Sequence, residues 1–230
     1  MSLGGALRQS LRDFFFNSWR LAPANLVWGL GFGAMLVAGP PTVIGVVLLV
    51  LLAIPLAGLH RMAALVARDE PADFSDFVSG MRRYAAPAVV VAGGAAILAG
   101  VFTTNIVVGF EAGGPVGWFV SAMALWGNVA LAMFLVAFWP ILADPRREGL
   151  GLRRRLGLAG LVVIGRPVRL FVLTAAVALI LLISTVLFVA ILLVSVAYVS
   201  LVASRTVLPM LDALEARLPE NRVPETRIPG

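Results

Sequence analysis

Asn25, Asn105 and Asn128 are amides set inside long apolar runs. A buried asparagine carries two donors and an acceptor, so it can hold two helices in register or meet a polar substrate along an intramembrane path. Both readings stand for these three residues. Thr103, Thr104, Ser121, Ser184, Thr185 and Ser195 are the further uncharged polar groups in the same runs. His60, the sole histidine, stands beside Arg61 where an apolar run gives way to a charged one. The simplest expectation for it is an interface histidine with its polar tip in water.

Other chemistry has few candidates. A zinc site needs three or four converging ligands, and the chain has no cysteine and that single histidine. Its twelve acids avoid the centres of the apolar runs, where ionisable groups are costly unless functional. Paired catalytic carboxylates, a phosphate-binding loop or a Ser/His/Asp set cannot be assembled from this pattern. We therefore expect no enzyme, no cofactor and no metal.

The remaining candidates are cytosolic contact surfaces. Phe74, Phe77, Val78 and Met81 recur at i, i+3, i+4, i+7, one face of a helix. With Asp76, Gly80 and Arg82 they form the first candidate interaction segment. Pro71 and nearby acids suit the helix start, and Arg82 and Arg83 suit its end. The spacing predicts a short helix lying against the membrane or under the bundle. The second segment is the most basic stretch, Arg146, Arg147, Arg153, Arg154 and Arg155. It offers lipid phosphates or a cytosolic partner a contact, or serves only as a topology signal.

What must position these residues is legible in the composition. The chain has 230 residues, 60% hydrophobic and 13% charged, where a soluble domain carries about a quarter charged. A hydrocarbon core about 30 Å thick takes roughly twenty apolar residues per helical span. The fold class expected is all-α, a polytopic transmembrane helical bundle of six spans (five possible), with short interfacial amphipathic helices. Residues 1–20 read as an interfacial helix, with Leu3, Leu7, Leu11, Phe14, Phe15 and Trp19 as its apolar stripe. Spans are expected at about 21–39, 42–59, 87–110, 118–143, 168–185 and 187–207. Loops 60–86 and 144–167 connect them on one side, and 209–230 is a polar tail. Residues 156–164 are too few to span and read as an in-plane helix.

The forty-residue run 168–207 is the ambiguous one, since a single helix of that length would reach ~60 Å. No Gly or Pro interrupts it between Pro167 and Pro209. Charge decides for two spans breaking near residues 184–188. All eighteen basic residues, every one an arginine, then share one side. By the positive-inside rule that side is cytoplasmic. The expected location is the bacterial cytoplasmic membrane, multi-pass, with both termini in the cytoplasm. The arginines flank apolar spans instead of forming a soluble basic face, which argues against nucleic acid and for anionic headgroups as partners.

Residues 25–84 resemble the YesL family of bacterial membrane proteins. The resemblance rests on Asn25-Leu26-Val27-Trp28, on Pro55 with Gly58-Leu59, and on Arg68-Asp69-Glu70 followed by Asp76-Phe77-Val78-Ser79-Gly80-Met81-Arg82. Leu52-Ala53-Ile54-Pro55 departs from the family's Thr-Ile-Gly-Pro, and the distance from Asn25 to Pro55 is longer. The resemblance implies an integral membrane protein of unknown activity, often encoded near carbohydrate uptake systems, and no catalytic residues. The function expected is a non-enzymatic accessory protein, linked to subunits of a sugar ABC-type transporter. The alternative is a small-molecule or lipid transporter, with the asparagines lining a polar path between helices.

Overall fold

The structure is a computed structural model that describes residues 3–39, 42–187 and 194–217. It is helical throughout, with no strand among the described residues. Six of its helical segments are long and apolar enough to cross a membrane. The chain is a multi-pass helical bundle.

Helix α1 runs unbroken over Leu3–Ala38. The interfacial helix expected over residues 1–20 and the first span are therefore one element. Pro23 removes the bond to the Trp19 carbonyl, but every other amide gains most by continuing the helix where water is absent. The apolar stripe divides: Leu3, Leu7 and Phe14 pack against the core, and the rest does not. Ala6 and Ser10 are buried, while Leu11, Phe15 and Trp19 are exposed. Lipid does not drive large apolar side chains inward, so small residues take the contacts.

Gly39, with φ at 84°, ends α1, and Thr42 caps α2 (Val43–Leu51) by accepting from the Gly45 amide at 3.0 Å. A break at Leu52 separates α2 from α3 (Ala53–Ala67). Its cause is Pro55, which has no N–H for the Leu51 carbonyl. Together α2 and α3 make the second crossing.

Helix α4 spans Phe74–Ala112, 39 residues or about 58 Å. It corrects the expectation of a separate short helix at 74–81: those residues are the first two turns of the third crossing. Asp76 fixes the start, its Oδ2 accepting from the Asp73 amide at 2.8 Å. Glycines at 113 and 114, with φ of 64° and 69°, turn the chain directly into α5 (Gly114–Ala143). Close approach of Gly109 and Gly117 and a hydrogen bond from Ser121 Oγ to the Ile106 carbonyl (2.9 Å) clasp that hairpin.

After a short 3-10 turn, Pro145–Arg147, comes α6 (Leu152–Gly165), which buries Arg155, Leu158, Ala159 and Val162. Then α7 (Pro167–Val186) and α8 (Val196–Glu215) form two crossings. They turn back on each other, with Ser195 Oγ and Ser184 Oγ 2.5 Å apart at the hairpin end. The expected break at 184–188 falls partly outside the described residues. The tail expected from 209 is corrected as far as Glu215. Met210 and Leu211 are buried, so α8 continues through Pro209.

Candidate functional site

The charges gather at one end of the bundle and mostly satisfy one another. Asp144, at the C-terminus of α5, is fully buried. It accepts from Arg68 Nη2 at 2.7 Å and from Arg147. Both guanidiniums reach on to α8: Arg147 Nη2 donates to Asp212 Oδ1 at 2.7 Å and to Glu215, and Arg68 donates to Asp212. Two cations and three carboxylates thus lock the ends of α3, α5 and α8 together. Burial disfavours the charged guanidinium of Arg68, but its bonds to Asp212 and Asp144 outweigh this and raise its pKa.

Further contacts extend the lock. Arg61 and Arg83 both pair with Glu148, at 2.5 and 2.6 Å. Arg205 on α8 pairs with Asp13 on α1 and, at 3.1 Å, with Asp69. Arg155 donates to the carbonyls of Leu142, Arg147 and Glu148, each at 2.9 Å, and lies over the Tyr84 ring. Its burial lowers its pKa.

The basic segment therefore divides. Arg146, Arg153 and Arg154 are exposed, while Arg147 and Arg155 are buried structural residues and offer no free surface. The first segment divides in the same way. Phe74 and Arg82 are exposed; Phe77, 1% exposed, and Gly80 face α3. A Cβ on Gly80 would stand 3.1 Å from Gly58 Cα, so the two glycines mark the helix crossing.

The asparagines do not share a path. Asn25 is buried, and its Oδ1 accepts from the Ala197 amide at 2.7 Å, supplying the start of α8 with a partner. Asn105 is exposed on α4, and Asn128 is half-buried on α5.

His60 overturns its expectation. It is 4% exposed, not in water, because α3 continues two turns beyond it and packs on α4, α5 and α8. Its ring stacks on Trp139 at 6.3 Å, and Nδ1 is buried with no hydrogen-bond partner. It lines a chamber of about 330 Å³ between α1, α3, α5, α7 and α8, whose walls include Leu135, Val177, Leu181 and Val199. A second lobe of about 300 Å³ lies between α2, α3, α4 and α5, walled by Val50, Ala96 and Leu131. Trp28, Leu56, Leu135 and Trp139 line both. Neither lobe is lined by any of the three asparagines.

Comparison of the chain with protein-family models, with curated proteins and with solved structures returns no match.

The chamber walls are almost wholly hydrocarbon, with two exceptions. Besides His60 Nδ1, the indole Nε1 of Trp28 is buried without a partner. Thr174 and Ser200 spend their hydroxyls on the Leu170 and Val196 carbonyls, at 2.8 Å each. Such a space suits an apolar molecule carrying one or two hydrogen-bonding atoms. Sequence reasoning missed it because the chamber is built from residues of five helices that carry no local motif. Trp28, His60 and Trp139, as polar-tipped rings in apolar runs, were its readable trace.

Proposed function

We propose that this protein binds a lipid-like molecule between its helices, in the chamber bordered by Trp28, His60 and Trp139. In this reading it is a lipid-handling protein of the bacterial cytoplasmic membrane and performs no covalent chemistry. The observation that carries the reading is the pair of apolar lobes, each about 300 Å³ or more, with unpartnered Trp28 Nε1 on a residue of their shared wall and His60 Nδ1 on a residue of the first lobe. Cavities of this size hold small ligands, and an unpaired buried donor or acceptor costs about 1–3 kcal/mol unless something meets it. The charged end is taken as cytoplasmic, with both termini on that side.

The test uses tryptophan fluorescence. Trp19, Trp118 and Trp126 are exposed, so replacing them with phenylalanine leaves Trp28 and Trp139 as reporters. Brominated phospholipid titrated into the detergent-solubilised protein should quench them saturably. Ala132→Phe and Ala96→Phe, which narrow one lobe each, should weaken that quenching about tenfold. Equal quenching in both variants would defeat the proposal.

The accessory reading keeps one supporting observation, the exposed Phe74, Arg82, Arg146, Arg153 and Arg154 at the charged end. A link to sugar ABC-type transporter subunits rests on the resemblance of residues 25–84 alone. A pull-down from native membranes in mild detergent tests it: recovery of a permease or ATPase supports it, and recovery of the protein alone counts against it.

A further inference from the structure

A groove at the charged end, separate from the chamber, combines unpaired arginines with an apolar wall. It lies between the first turns of α1, the start of α7 and the last half of α8, and encloses about 370 Å³. Arg166, Arg169 and Arg205 line it, and no acid does. Arg205 is neutralised by Asp13 and Asp69. Arg166 and Arg169 form no ion pair among the described residues, unlike Arg61, Arg68, Arg83, Arg147 and Arg205. Pro167 opens α7 between them, so the positive end of a twenty-residue helix adds to the same field. Val168 and Val172, both exposed, line the groove beside these arginines on α7, and Met210 lines it from α8.

We infer that this groove binds an anionic phospholipid, its phosphate held by Arg166 and Arg169 and the upper part of an acyl chain laid against Val168 and Val172. Guanidinium groups match phosphate geometry and keep their charge at any physiological pH. A phosphate alone would leave the valines uncovered. A zwitterionic lipid would bring a cation next to two arginines. The groove therefore fits a molecule that is anionic at one end and hydrocarbon at the other. Of the three arginines that line the groove, Arg205 is already spent on acids, which leaves Arg166 and Arg169 to meet a ligand.

The experiment titrates the full chain in mild detergent with short-chain phosphatidylglycerol and follows binding by native mass spectrometry. Short-chain phosphatidylcholine and inorganic phosphate serve as comparison probes. Phosphatidylglycerol is expected to bind at least tenfold tighter than phosphatidylcholine and to resist equimolar inorganic phosphate. The double variant Arg166→Gln/Arg169→Gln should lose about tenfold. Val172→Trp, which keeps every charge and fills the apolar wall, should lose a comparable amount. Arg153→Gln/Arg154→Gln removes the same charge from α6 and should leave binding within twofold. Equal loss in the two double variants would reduce the effect to general attraction and overturn the site. Displacement by inorganic phosphate, or an unaltered Val172→Trp, would overturn the lipid assignment.

Discussion

Asp144 is the residue on which the charged end turns. Removing its charge leaves Arg68 and Arg147 facing each other with less counter-charge, and breaking a buried pair costs about 3–5 kcal/mol. Asp144→Asn should therefore lower the thermal unfolding midpoint in detergent sharply. Arg153→Gln, an exposed change, should stay within about 0.5 kcal/mol of the parent. The asparagines separate in the same way. Asn25→Leu strips the Ala197 amide of its side-chain acceptor and should cost about 1–3 kcal/mol, whereas Asn105→Leu on the exposed face of α4 should cost little. His60→Leu removes a polar atom that has no partner, so stability should hold or rise. If His60→Leu unfolds the protein, Nδ1 is satisfied in a way this reading excludes.

At the scale of elements, helix contacts follow the small residues. A Cβ on Gly58 would meet the Phe77 carbonyl oxygen at 2.6 Å, and neither backbone can yield without separating α3 from α4. Gly58→Ala is expected to destabilise by about 1–3 kcal/mol, as overpacking does. A Cβ on Gly93, farther along α4, would meet nothing within 4 Å, so Gly93→Ala should be neutral or stabilising. Equal losses in the two variants, read by thermal unfolding, would mean that the α3–α4 crossing at Gly58 carries no special weight. Proline acts at the same scale. Pro23, Pro87, Pro140 and Pro209 sit within continuing helices, while Pro55 coincides with the break at Leu52. From sequence, Pro209 reads as a boundary residue, the start of the polar tail. In hydrocarbon, and beside acids that find arginines, the cost of one missing bond is smaller than the cost of ending the helix.

For the whole molecule, the decisive question is which side the charged end faces. The natural chain has no cysteine, so single-cysteine variants report without interference. Ser75→Cys lies on the charged end and Ala112→Cys at the opposite end of the same helix, both exposed. A membrane-impermeant maleimide should label Ala112→Cys in spheroplasts and Ser75→Cys only after permeabilisation. The reverse pattern would invert the topology and move both proposed lipid contacts to the other leaflet.

The residues alone pointed to an all-α bundle of six spans, with five possible, and six helices long and apolar enough to cross are present among the described residues. Apolar runs of twenty or more residues can be satisfied in lipid only as helices, and the distribution of arginines divides 168–207 into two crossings where no glycine or proline marks a turn. The acidic start of α4 was also legible, because it depends on residues close in sequence. The glycine crossing of Gly58 and Gly80 was not, because it joins two helices. The tertiary structure alone decided what the arginines do. Arg147 and Arg153 belong to one basic stretch, yet one is buried against Asp144, Asp212 and Glu215 and the other meets solvent. Only the meeting of α3, α5 and α8 separates them. The chamber is of the same kind. His60 and Trp139 lie 79 positions apart, and the apolar residues around them read as ordinary span residues until the helices leave a crevice between them. Periodicity reports which way a side chain points along one helix. It carries no term for the gap left between five.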